Sequence, residues 1–188
     1  LVLGTIPTAL IGLGFNDFFT SLFSSGKSLG IGFLATGGIL WLAESIRSGS
    51  KRLKELSVLD VLFIGTMQGI AILPAVSRSG STIAGSLFRG LDRKFAARFS
   101  FLLSIPAILG ATILEGKNLL STGITNQAFL PLFLGGLAAA ISGYIAIKIM
   151  FKILTTSSLK NFSYYVFTLG ALILADQLFF NIYFTPVF

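Results

Sequence analysis

The sequence predicts an all-α integral membrane protein: multispanning helices together with a re-entrant helical hairpin. Three observations carry that expectation. First, 54% of the 188 residues are hydrophobic, the mean hydropathy is +0.89 and only 11% are charged, against roughly 25% charged in soluble domains. Second, the basic residues fall in clusters between apolar runs: Arg47, Lys51, Arg52 and Lys54, then Arg89, Arg93, Lys94 and Arg98, then Lys148, Lys152 and Lys160. That is the positive-inside pattern of a chain crossing a bilayer several times. Third, an arginine, Arg78, stands in the most apolar region, within Pro74-Ala75-Val76-Ser77-Arg78-Ser79-Gly80-Ser81-Thr82. An ionisable group at membrane depth costs about 3 kcal/mol or more and usually lines a polar cavity.

Taken in order, residues 1–15 form an apolar run too short for a span, which needs about 20 residues. No basic region precedes it, so it does not read as a signal peptide. It is expected to be the end of a helix that starts before Leu1, making the chain an N-terminally truncated piece of one membrane domain covering 1–188. Candidate spans follow at Leu29–Ile46, Phe95–Leu114, Phe129–Leu154 and Phe162–Phe184. The run Val58–Leu73 does not fit that scheme, because the basic cluster from Arg89 follows too soon. Residues 79–88 give only about 15 Å of helix against a hydrocarbon core of about 30 Å. A re-entrant hairpin over 58–90 meets this constraint, with Pro74 ending the first arm, a turn at Ser77–Gly80, and Lys51 and Lys94 on one face, the cytoplasmic one.

The hairpin tip has the composition of an anion site. With Ser79 as N-cap of the return helix, the amides near Gly80, Ser81 and Thr82 would point towards the tip, where the helix dipole favours negative charge. Arg78 adds a permanent charge and a planar donor fork matched to phosphate oxygens. Gly80 would let a ligand approach the backbone. Hydroxyls and glycines are also ordinary packing residues in membrane helices; the depth, the proline break and the short return arm favour a ligand site. The net charge of +7 is spread over short loops, which excludes nucleic acid as the partner. No cysteine and no histidine occur, so disulfides and the commonest general base are absent from this chain.

The stretch Gly65-Thr66-Met67-Gln68-Gly69-Ile70-Ala71-Ile72-Leu73-Pro74, continuing through Thr82, resembles the second signature of the bacterial undecaprenyl-diphosphate phosphatases. The flanks agree: Gly90-Leu91-Asp92-Arg93, then the run from Ala96 to Pro106, then Gly110-Ala111, with Ile6-Pro7, Asp17 and Leu22-Phe23 upstream. The resemblance implies a bacterial plasma-membrane protein with inverted repeats and two re-entrant hairpins. Its implied reaction removes the terminal phosphate of a polyprenyl diphosphate, recycling the lipid carrier of cell-wall synthesis. It implies a divalent metal, Mg or Ca. By motif position, Arg78, Ser77 and Thr82 are the expected catalytic residues, Arg78, Ser79, Gly80 and Ser81 bind the substrate phosphates, and Pro74 and Gln68 support the hairpin.

Two departures stand out. Ala75 replaces the family's usual glycine, a strained choice if that position needs positive φ. The family's first signature, rich in glutamate and followed by serine and histidine, is expected upstream of Leu1; metal ligands, nucleophile and base are expected there too, so the piece alone is expected to be inactive. A non-enzymatic transporter of polyprenyl phosphate is the alternative, since re-entrant helix termini also occur in transporters. A phosphatidic-acid-type phosphatase is disfavoured because it would use histidines. Among the remaining polar residues, Gln68 is expected to bond a neighbouring helix and Glu44 to pair with Arg47. Asp176, inside the last span, fits a structural or a functional role equally. Gly135, Ala139 and Gly143 form a small-residue stripe suited to close helix packing. Membrane lipids are expected partners, and an oligomer is compatible with the sequence.

Overall fold

A computed structural model describes residues 1–46, 49–122, 126–156 and 158–187. The described residues form eight α-helices: α1 (Val2–Gly14), α2 (Asn16–Ser25), α3 (Leu29–Ser45), α4 (Val58–Ile70), α5 (Arg78–Phe88), α6 (Arg93–Thr122), α7 (Asn126–Thr156) and α8 (Leu159–Ala175). A 3-10 turn, Leu53–Glu55, precedes α4, and a π-helical turn, Asp176–Phe180, follows α8. Three segments are long and apolar enough to cross a bilayer: Arg93–Lys117, Leu130–Ile153 and Leu159–Phe180. α1 and α2 together form a fourth apolar segment, bent by 69°. The protein is an all-α multispanning membrane protein.

Helix ends follow local chemistry. Ser57 caps α4, its hydroxyl accepting the Asp60 N–H while the Asp60 carboxylate accepts the Ser57 N–H, a reciprocal capping box. The Asp92 carboxylate accepts the Phe95 N–H at the start of α6. Ser158 caps α8 through the Lys160 N–H. α2, which the apolar pattern did not reveal, closes on Gly26 at φ +66°. The last helix ends earlier than the span expected over Phe162–Phe184, because the Asp176 carboxylate accepts the N–H groups of Ile182, Tyr183 and Phe184 and folds the chain back. Asp176 therefore has a structural role in this turn. Beside it, buried Gln177 donates to the Gly26, Lys27 and Thr185 carbonyls and accepts the Gly30 N–H, tying the C-terminal turn to the start of α3.

Small residues let the helices approach closely, as is usual where lipid removes the hydrophobic drive between helices. Along α1 and α4, a Cβ on Gly65 would come within 2.0 Å of the Gly4 carbonyl oxygen, and the Thr8 hydroxyl donates to the Gly65 carbonyl. Along α3 and α8, Gly37 faces the Phe167 ring, Gly170 faces Phe33 and Leu34, and the Ser163 hydroxyl donates to the Gly37 carbonyl. The stripe of Gly135, Ala139 and Gly143 behaves differently from its expected packing. Nothing lies within 4 Å of a Cβ built at Gly135 or Gly143, and α7 buries none of its apolar window; its contact with α6 includes the Phe101–Phe151 ring pair, 5.1 Å apart.

α4 and α5 pack antiparallel as a helical hairpin: Gly85 faces Met67 and Phe63, and Arg89 reaches back to Asp60. α5 is the central element, buried from Gly80 to Leu87 and packed on α3, α4 and α6. Its Ile83, Ala84 and Leu87 join Ala43, Ile64, Ala97 and Leu103 in the core.

Candidate anion site at the head of α5

The hairpin turn comes earlier than the sequence suggests. α4 ends at Ile70 rather than at Pro74, and residues 71–77 make the connection, with Pro74 buried inside it. The N-cap of α5 is Ser77, not Ser79: its hydroxyl accepts the Gly80 N–H at 3.1 Å and its carbonyl accepts the Ser81 N–H. A neighbouring helix decides between the two serines. Thr36, in the middle of α3, donates its hydroxyl to the Ala75 carbonyl at 2.9 Å and accepts the Ser77 N–H at 3.0 Å. That double bond clamps the turn so that the helix must begin at Arg78.

Moving the cap moves the open amides. Gly80 and Ser81 use their N–H groups on Ser77, whereas the amides of Arg78 and Ser79 have no acceptor among the described residues. The positive end of α5 therefore opens at Arg78 and Ser79. Ala75 adopts φ +63°, a conformation that costs a non-glycine residue about 1–2 kcal/mol. A Cβ at Gly32 would lie 2.2 Å from the Pro74 carbonyl oxygen, so only glycine on α3 admits the turn at this distance.

Arg78, Ser79, Ser100, Phe101 and Ser104 line a cavity of about 240 Å³. The Arg78 guanidinium is half-buried and makes no ion pair or hydrogen bond with any described residue. A cation unpaired among the described residues, beside two open amides and three serines, has the chemistry to accept an oxyanion. The other motif residues lie behind this surface. Ser77 holds the helix end. Gly80 packs under the Ser77 side chain and Leu40 of α3, at 2.9 and 3.2 Å from a built Cβ, so its lack of a side chain serves packing rather than ligand approach. Ser81 and Thr82 are buried, at 2% and 1% exposure, and do not line the cavity. The Thr82 hydroxyl bonds the Arg78 and Ser79 carbonyls and Ser100 Oγ. Gln68 is also remote from the cavity: its Nε2 donates to Thr8 of α1, and its Oε1 is buried without a partner.

Ser100 and Ser104, one helical turn apart on α6, were not among the expected site residues. Two hydroxyls at i and i+4 in an otherwise apolar helix, directly after the basic cluster, are the signal that marks such a face. At the opposite end of the hairpin, buried Asp60 takes Arg89 Nε at 2.6 Å and Lys51 Nζ at 3.3 Å. The Lys51 N–H donates to the Gly90 carbonyl and the Asp92 N–H to the Lys51 carbonyl. The chain entering α4 and the chain leaving α5 are thus fastened side by side. Glu44 pairs with Arg93 at 2.8 Å and accepts the Leu159 N–H; Arg47, its expected partner, lies outside the described residues.

The family described as bacitracin resistance protein BacA matches residues 1–172. The chain belongs to this family. It is 54% identical over 179 residues to an undecaprenyl-diphosphatase of Carboxydothermus hydrogenoformans, covering 94% of this chain and 69% of that protein. Undecaprenyl-diphosphatases of Alkaliphilus metalliredigens and Halothermothrix orenii are 44% and 47% identical over 178 and 174 residues, covering 95% and 93% of this chain and 65% and 67% of theirs. The chain thus spans about two thirds of the length of these BacA relatives.

The divalent metal that the resemblance implies finds no ligand set among the described residues. No group of three His, Cys, Asp or Glu residues comes together there. Both Asp60 oxygens are engaged by cations, and the cavity presents a guanidinium and hydroxyls, a donor set for anions rather than for Mg or Ca.

Proposed function

We propose that the chain acts in the hydrolysis of undecaprenyl diphosphate to undecaprenyl phosphate and phosphate, and that the head of α5 holds the diphosphate. The observation that carries this reading is the Arg78 guanidinium, without a partner among the described residues, lining a cavity at an open helix N-terminus, in a chain of the BacA family. Arg78 presents two parallel N–H donors to a pair of phosphate oxygens. The Arg78 and Ser79 amides and the Ser79 hydroxyl complete the cradle. Phosphoryl transfer spreads charge over the equatorial oxygens, so a fixed cation and fixed dipoles lower its barrier by electrostatics. Ser77 acts through the geometry of the helix end, and Thr82 through its neighbours. A nucleophile and a base for the water are no part of this constellation.

The membrane setting belongs to the same proposal. The hairpin of α4 and α5 enters the bilayer of the bacterial plasma membrane and returns to the face carrying Lys51 and Lys94. The prenyl tail lies in lipid while the diphosphate reaches the cavity. Arg78→Lys tests the central role: lysine keeps the charge but loses the fork. Made in the full-length protein, the change should lower phosphate release from a polyprenyl diphosphate by about 10²-fold or more, as when a preorganised transition-state donor is removed. Near-normal turnover by a folded lysine variant would overturn the role.

A further inference from the structure

Thr82 poses a chemical question: it belongs to the signature but lies 1% exposed behind the cavity. Proton counting gives an answer. The Thr82 hydroxyl has one hydrogen, and its Oγ1 is placed to donate to the Arg78 carbonyl at 3.0 Å or the Ser79 carbonyl at 3.2 Å. Ser100 Oγ lies within hydrogen-bond distance of Thr82 Oγ1, with either atom able to donate, and the Ser100 hydroxyl has no other hydrogen-bond partner among the described residues. With Thr82 back-bonded to its own helix, Ser100 must donate to Thr82. Ser100, although 2% exposed, is also a lining residue of the cavity, and with its hydrogen on Thr82 it offers an anion there no donor.

Reversing the pair removes the conflict. Thr82 turns its hydrogen to Ser100 Oγ, and Ser100 turns its own hydrogen into the cavity. The Arg78 and Ser79 carbonyls keep their acceptor roles in the α5 ladder, so the reversal strands no backbone group. A hydroxyl that receives one hydrogen bond while giving another is polarised and becomes a better donor.

We propose that Thr82 and Ser100 form a two-hydroxyl relay in which Ser100 donates to the phosphate bound by Arg78, and Thr82 is a positioning residue that acts only through Ser100. This deepens the reading of the α5 head as a diphosphate site and rests on it.

The test has two readouts: calorimetric binding of inorganic pyrophosphate by the detergent-solubilised protein, and phosphate release from a polyprenyl diphosphate by the full-length protein carrying the same substitutions. Ser100→Ala removes the donor and should weaken pyrophosphate binding by roughly 10- to 100-fold, the range for a hydrogen bond to a charged group. Thr82→Val keeps shape but leaves Ser100 without its donor, and should weaken binding in the same direction by a smaller factor. The double variant should be no worse than Ser100→Ala alone, and Thr82→Ser should restore wild-type binding. A purely structural Thr82 would give additive losses in the double variant, with the melting midpoint falling in step; that result overturns the relay. Unchanged binding by Ser100→Ala also overturns it. Arg78→Ala separates the two levels: if it leaves pyrophosphate binding intact, or if the unmodified protein does not bind pyrophosphate, the anion-site reading itself falls.

Discussion

Replacing Thr36 by valine removes one hydroxyl and leaves the volume of α3 nearly unchanged. That hydroxyl satisfies two backbone groups of the hairpin turn, the Ala75 carbonyl and the Ser77 N–H, and it is 4% exposed. Interhelical hydrogen bonds within a bilayer contribute about 0.6 kcal/mol on average and up to about 1.7 kcal/mol. Two such bonds to one atom therefore predict a loss of about 1–3 kcal/mol for Thr36→Val. The functional loss should be larger than the stability loss suggests, because the Ser77 N–H fixes the residue whose hydroxyl caps α5. A displacement of about 1 Å at a catalytic group costs on the order of 10²-fold. Equilibrium unfolding in mixed micelles reads the first quantity, and phosphate release by the full-length protein the second. Thr36→Ser keeps the hydroxyl and should restore most of both. A valine variant within about 0.3 kcal/mol of the parent, roughly the limit of detectable coupling, and with full turnover, would refute the clamp.

Three further outcomes follow from the same geometry. Ala75→Gly should be tolerated, and neutral to stabilising by up to about 1.6 kcal/mol: it relieves the φ +63° strain of about 1–2 kcal/mol, offset by about 0.4–1 kcal/mol of unfolded-chain entropy; a melting curve decides, and a clear loss of stability would contradict the turn geometry. Gly65→Ala should destabilise by about 1–3 kcal/mol, since its Cβ would lie 2.0 Å from the Gly4 carbonyl oxygen, whereas Gly135→Ala, with open space around it, should be neutral or stabilising by up to about 1 kcal/mol; equal effects at the two sites, by unfolding in micelles, would contradict the α1–α4 seam. Single cysteines at 51 and 94, in this cysteine-free sequence, should react with an impermeant reagent from the same side of the membrane, because Lys51 pairs with the backbone at Gly90 and Asp92; opposite sides would rule out a re-entrant hairpin.

Apolar length alone made α6, α7 and α8 readable, and charge spacing pointed to a chain reversal where α4 and α5 pack side by side; the re-entry of that pair into the bilayer belongs to the proposal. α2 escaped because its ten residues start with Asn16 and Asp17 and the bend at Phe15 splits one apolar segment in two. The cap was misread by two residues: Ser77 and Ser79 are chemically alike, and the choice between them is made by Thr36, forty-one positions before Ser77. A threonine in an apolar helix gives no sign of that function by itself. Asp60 is not singled out by the sequence analysis, although Ser57-x-x-Asp60 has a capping-box spacing; its pairing with Lys51 and Arg89 needs the hairpin to close. Gly135, Ala139 and Gly143 show the converse, a packing pattern on a helix that leaves its face open among the described residues.

The placement of the proposed anion site follows from where the strain and the order are held. α5 by itself is a poor isolated helix: eleven residues with two glycines and four hydroxyl side chains, short of the length at which a helix is stable alone. Its start is fixed by α3, through Thr36, Gly32 and Leu40; its end is fixed by Asp60 of α4 and by Lys51; its flank is fixed by Ser100 of α6. With both ends and one side held by neighbours, the first turn keeps its two open amides and Arg78 in place without ligand. That is the condition for electrostatic preorganisation, in which the dipoles are oriented before charge develops and no reorganisation is needed during the reaction. It also accounts for a strained alanine at position 75. The αL turn is the geometry that lets Ala75 offer its carbonyl, and Ser77 its N–H, to the same hydroxyl of Thr36, and about 1–2 kcal/mol of backbone strain is offset by satisfying two part-buried backbone groups with one side chain.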